Sequence, residues 1–137
     1  MGKKHGKERE NKALRVALYC RVATDTGEGW NLAMQKEKLR RFAEQQGYTV
    51  VAEVVDHGSG LSFDRPGIQE ILRLSHRHII DAVLAENICR IGRDMQTALR
   101  IEGKLKKQHV IIKTLQQEES VLPYMRKIQH VLGHLSV

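Results

Sequence analysis

A chain of 137 residues, 41% apolar and 28% charged, has room for one core and the composition of a soluble domain. No apolar run approaches the roughly 20 residues that a membrane span needs. Met1-Gly2-Lys3-Lys4 leads into Glu8, Arg9 and Glu10 instead of an apolar segment, so no secretory signal is expected and the cytoplasm is the expected location. The net charge of +7 favours an anionic partner, nucleic acid first among them. Cys20 and Cys89 are too few and too far apart for a disulfide framework or a paired-cysteine zinc site, so reduced thiols and no metal are expected.

Residues 1–13 carry mostly Lys, Arg and Glu without hydrophobic periodicity and read as a disordered basic lead-in to a domain over 14–137. Leu14 to Cys20 is an apolar run free of Gly and Pro, a buried strand, and Asp25 to Gly29 is a loop. From Asn31, an expected N-cap, Leu32, Leu39, Phe42 and Ala43 recur at helical spacing until Gly47. Val50 to Val55 is a second strand and Asp56 to Arg65 a loop. Pro66 opens a second helix carrying Ile68, Ile71, Leu72 and Leu74. Ile79 to Ala85 is a third strand, Asp94 to Lys107 a helix, and Val110 to Ile112 a fourth strand. The final stretch places Val121, Leu122, Met125, Ile128, Leu132 and Leu135 on one helical face. It either forms an interface or covers the chain's own core. Strands apolar throughout and alternating with helices predict an α/β fold, a mainly parallel sheet wound with helices on both faces. Ligands of such sheets sit beyond the carboxyl ends of the strands.

The loops at those ends are rich in arginine. By strand alternation Arg21 and Ala23 share one side, while Cys20, Val22 and Thr24 share the other. Arg90 and Arg93 stand three apart at a strand-to-helix transition, a spacing that clamps the oxygens of one phosphate or, in the plainer reading, belongs to a solvated basic rim. Gln35 falls on the apolar stripe of its helix, so it either braces backbone or points into the site. Asp56-His57-Gly58-Ser59-Gly60 presents a carboxylate and a hydroxyl on a tight turn, or is an ordinary turn. His130 and His134 have the i, i+4 spacing of zinc ligands without an identifiable third ligand, and Trp30 and Tyr48 are too isolated for base stacking.

Four segments together are more specific. Tyr19-Cys20-Arg21-Val22-Ala23-Thr24, Leu32-Ala33-Met34-Gln35, the stretch from Asp56 to Gly60 with Ser62-Phe63-Asp64-Arg65-Pro66-Gly67, and Asp81-Ala82-Val83-Leu84 through Ile88-Cys89-Arg90-Ile91-Gly92-Arg93-Asp94 occur in this order. The chain over residues 14 to 115 thereby resembles the catalytic domain of resolvase/invertase-type serine recombinases. The resemblance implies a resolvase-like fold and a metal-free and cofactor-free attack by serine on a DNA phosphodiester, with DNA as partner and a homo-oligomer or pairing with related recombinases. Position by position, it implies that Arg21, Arg90 and Arg93 grip the scissile phosphate and that Gln35, Asp56, Ser59 and Arg65 support the site or nearby DNA. Two central positions depart from the pattern: Ala23 occupies the nucleophile's place and Cys89 that of an aspartate. Alanine has no nucleophilic atom, so an inactive or severely impaired recombinase domain is expected. The alternative is a non-enzymatic regulatory or protein-interaction module on the same fold.

Overall fold

The computed structural model describes residues 13–22, 29–58 and 65–115. Residues 1–12, Ala23, Thr24, Ser59, the Trp30 side chain and the amphipathic stretch from Val121 to Leu135 lie outside the described residues. In chain order the elements are β1 (Arg15–Val22), α1 (Gly29–Gln46), β2 (Thr49–His57), α2 (Pro66–His76), β3 (Ala82–Ala85), α3 (Ile88–Ile91), α4 (Met95–Lys107) and β4 (Ile111–Thr114).

Strand alternation sorts β1 into two faces. Val16, Leu18 and Cys20 pack with Ala82 and Leu84 of β3 against Leu39 and Ala43 of α1. Ala17 and Tyr19 pack on the other face against Ile68, Ile71 and Leu74 of α2 and Ala98, Ile101 and Leu105 of α4. Each of these side chains is nearly or fully withdrawn from water, and a fully buried Leu or Ile contributes about 1.5–3 kcal/mol. All strand pairs are parallel, in the order β2-β1-β3-β4, with helices on both faces as the sequence predicts. The chain moves outward from β1 to β2 and then crosses to β3 on the other side. The order therefore reverses between β1 and β3, where open parallel sheets form their crevice.

Four boundaries differ from the sequence expectation. The first helix starts at Gly29, so Asn31 lies within its first turn and is not its N-cap. β2 extends to His57, which takes Asp56 out of the expected loop and sets it beside Arg21 in the parallel register. β3 begins only at Ala82, because the chain leaves α2 through His78 in a left-handed conformation (φ 58°) and Ile79 is exposed. His109 (φ 61°) plays the same part after α4, and β4 begins at Ile111. The short helix α3 adds an element that the sequence reading lacks. Asn87 starts it by accepting the Arg90 N–H on its side-chain oxygen (3.2 Å).

Candidate functional site

Arg21, one residue before the end of β1, stands at the crevice, and its guanidinium is buried and turns toward the α2 and α4 face. It meets main-chain oxygens. Nε donates to the Arg90 carbonyl (3.2 Å), Nη1 to the Gly58 carbonyl (2.7 Å) and Nη2 to the Cys89 carbonyl (3.0 Å). These three bonds tie the end of β2 and the turn of α3 to β1 and engage three of the five guanidinium N–H groups. The Arg21 carbonyl in turn accepts from Arg90 Nη1 (2.7 Å) and from Gln35 Nε2 (3.4 Å). Gln35 thus braces the strand end from α1, on the opposite face, and its Oε1 is buried without a protein partner.

Arg65 completes the cluster from the residue before α2. Its Nη1 donates to the Tyr19 hydroxyl (3.0 Å) and the Arg90 carbonyl (3.4 Å), and its Nη2 to the Ile91 carbonyl. The Tyr19 hydroxyl donates to Asp56 Oδ2 (2.7 Å). Asp56 lies buried at the end of β2 and caps α2 across the sheet, taking the N–H of Gly67 on Oδ1 (2.7 Å) and of Ile68 on Oδ2 (3.1 Å). A carboxylate there stabilises the positive end of the helix. Gly67 is required by this contact, since a Cβ would lie 2.6 Å from Asp56 Oδ2. Gly92, between α3 and α4, is required by a close approach of backbone, 2.6 Å from a Cβ to the Ala98 nitrogen.

Arg21, Arg65, Arg90 and Gln35 therefore converge at the carboxyl edge of β1. Burial first, then the neighbouring guanidiniums of Arg65 and Arg90, hold the Arg21 pKa below its ordinary value. That direction records burial first and a crowd of like charges second. Arg90 is half-buried, with Nη2 3.7 Å from Glu86 Oε1, and Glu86 is also 3.7 Å from Lys38. Arg93 is exposed just beyond Gly92 and contributes weakly to the positive field at Arg21. Cys89 is exposed on α3. Such an arrangement can receive an anion, because the buried arginines bond neutral carbonyls and keep their charge.

Cys20 lies on the α1 face, away from this cluster, and burial pushes its thiol up to about 11, so it is protonated at neutral pH. Tyr19 and Glu86 are the participants that sequence reasoning missed. Tyr19 sits inside an apolar run and reads as core, while Glu86 is one acidic residue after a strand. Tyr19 meets Asp56 and Arg65 only through the fold, whereas Glu86 stands four residues before Arg90, a local spacing that could have singled it out. Ala23 and Ser59 lie outside the described residues.

A family model, the resolvase N-terminal domain, matches residues 16–136. Over 119 residues the chain is 28% identical to a DNA-invertase of Escherichia phage P1, covering 86% of this chain but only 58% of the invertase's length. A shorter match, 34% identical over 67 residues, is to "uncharacterized immunity region protein 3" of Bacillus phage phi105 and covers 47% of this chain and 82% of that protein. Among solved structures, the N-terminal catalytic domain of TP901-1 integrase superposes with a TM-score of 0.75 over 90% of this chain and 99% of its own, at 24% identity, a likeness of fold.

Proposed function

The chain belongs to the family of resolvase N-terminal domains, and on that premise we propose that it binds DNA backbone phosphate at the carboxyl edge of β1 with its own cleavage chemistry disabled. The observation that carries this reading is the meeting of Arg21, Arg65 and Arg90 at that edge on neutral backbone acceptors. Their bonds divide the labour. Arg21 and Arg65 are committed to carbonyls and the Tyr19 hydroxyl and supply fixed positive charge, while Arg90, held to the Arg21 carbonyl through Nη1, and the exposed Arg93 offer their other donors to a phosphate. A cluster held by the fold needs no reorganisation when charge builds on phosphoryl oxygens, as strand cleavage requires.

Cleavage also needs a nucleophile, and Ala23 stands two residues beyond Arg21 where the resemblance puts a serine. Cys89, adjacent to Arg90, stands where it puts an aspartate. Loss of the nucleophile alone typically costs on the order of a millionfold. The domain then acts through DNA binding, or by joining active relatives in a mixed assembly.

Two measurements test this. Arg93→Ala should weaken duplex binding and lower the slope of log affinity against log salt by about one, without loss of thermal stability. A slope unchanged by Arg93→Ala and Arg90→Ala would favour the non-enzymatic interaction module. For the chemistry, the chain as it stands should form no covalent adduct with nicked or supercoiled DNA, Ala23→Ser should recover little, and Ala23→Ser with Cys89→Asp more. Adduct formation by the unmodified chain at the level of the double variant would refute the disabled-pocket reading.

A further inference from the structure

α2 and α4 both begin at the arginine edge and run away from it, roughly 16 and 20 Å respectively at 1.5 Å per residue. Between their far halves lies an open groove of about 490 Å³, lined among others by Gln69, Arg73, Ser75, His76, Lys104 and Lys107. The chain is strongly basic at this end, with Arg73, His76, Arg77 and His78 closing α2 and Lys104, Lys106, Lys107 and His109 closing α4. Glu70 is bonded to Arg73 through both carboxylate oxygens and offsets its charge, so Arg73 adds nothing to the attraction of this end for an anion.

Cations near helix C-termini offset the negative end of the helix dipole, which accounts for charge in the last turn of each helix. It does not account for three further features. The basic ends of two helices are placed side by side around a groove wide enough for a ligand. Both helices are left through a histidine in a left-handed conformation, where glycine is the unstrained choice, so the chain keeps an imidazole at each exit despite the backbone cost. Ser75, on the groove wall and 1% exposed, has a hydroxyl with no hydrogen-bond partner, a deficit that an oxygen-rich ligand would relieve.

We propose that this groove is a second phosphate-binding site, distinct from the arginine edge, and that its ligand is the sugar-phosphate backbone of a nucleic acid. A cationic ligand would be repelled by the lysines, and an apolar one would leave the Ser75 hydroxyl as it is. A continuous backbone can meet both basic helix ends at once, because its phosphates recur every few ångströms. With one contact at each end of α2 and α4, a single chain holds two backbone segments apart.

The test uses the full chain and a fluorescent 20-base-pair duplex of mixed sequence, with binding measured across salt concentration. Lys104→Gln with Lys107→Gln should lower the salt slope by one to two, about one for each phosphate no longer neutralised. Ser75→Ala should weaken binding several-fold while leaving the melting temperature unchanged or raised, a combination that a structural role for the hydroxyl would not produce. Arg93→Ala should add to the groove variants independently, because the sites are far apart. Groove variants with unaltered slope and affinity would overturn the proposal while leaving the arginine edge in place; an effect of Arg93→Ala alone is that outcome. Inorganic tripolyphosphate bound through Lys104 and Lys107 with no effect of these residues on the duplex would also overturn it, in favour of a small free polyphosphate.

Discussion

Arginines at the carboxyl edge of β1 and arginines on the outer surface bond different kinds of oxygen. Arg15, Arg40 and Arg73 each grip one carboxylate, Asp81, Glu53 and Glu70 respectively, with two nitrogens apiece. Arg21 and Arg65 grip carbonyls and a hydroxyl. The outer pairs cancel their charge and are exposed, so they contribute little to stability and nothing to an anion. The edge arginines keep their charge and join three chain segments. A residue type that reads identically in sequence thus does two jobs, decided by whether its acceptor is charged.

The largest effect should come from Arg65→Ala. It strips a donor from the Tyr19 hydroxyl and the carbonyls of Arg90 and Ile91, and the expected loss is about 2–4 kcal/mol in denaturant unfolding. Arg40→Ala, which removes an equally well-formed bidentate bond to an exposed carboxylate, should leave the denaturation midpoint unchanged. Equal losses from the two would break the comparison.

Tyr19→Phe comes next, at about 1–2 kcal/mol, because it removes the hydroxyl that links the Asp56 cap to Arg65 and leaves the ring in place. Its pH dependence sharpens the point. Burial, then the bond to Asp56, raises the Tyr19 pKa far above its ordinary value, so the fold requires the protonated phenol. The stabilisation is complete below the unfolded value near 10 and is lost as pH rises above it, because the unfolded chain ionises first. Measured from pH 8 to 11, the gap between the parent and Tyr19→Phe should narrow. Cys20, also raised by burial, is common to both proteins and drops out of the difference.

The sheet was legible because its inner strands are nearly unbroken apolar runs, and Arg21, Arg90 and Arg93 could be placed at its edge because each follows or ends such a run. The boundaries that shifted lie where local signals compete. Ile79 is exposed although apolar, so hydrophobicity alone starts β3 too early. α3 is a single turn, too short for periodicity to register. Asp56 looks like a loop acid until β2 and α2 are seen side by side, because it caps N–H groups 11 and 12 residues away. Tyr19 escaped for the same reason, since Asp56 reaches it through the pairing of β1 with β2 and Arg65 from the start of α2, whereas Glu86 stands at a local i, i+4 spacing from Arg90 that the sequence reading passed over.

Asp81→Asn should give a smaller effect again, above only Arg40→Ala, and it probes the outer class under its most favourable conditions. Asp81 sits just before β3 and takes both the side chain and the backbone N–H of Arg15 at the start of β1, so it joins neighbouring strands. The hydrogen bond from Arg15 holds its carboxyl below the ordinary value near 4. A depressed acid contributes stability that is present above the unfolded pKa and is lost as pH falls through the folded one, so the parent should lose this contribution below pH 4. Both side chains are substantially exposed, at 46% and 36%, and solvent screening should limit the loss on Asp81→Asn at pH 7 to less than about 1 kcal/mol. Asparagine can still accept the Arg15 backbone N–H, which leaves the charge as the part removed. Raising salt to about 0.5 M should shrink the difference further, since the Debye length then falls to about 4 Å. The Tyr19→Phe loss should persist in the same salt, because its hydroxyl bonds are buried. A salt-resistant loss for Asp81→Asn as large as that for Tyr19→Phe would place Arg15 with the edge arginines and erase the distinction between carboxylate-bound and carbonyl-bound guanidiniums.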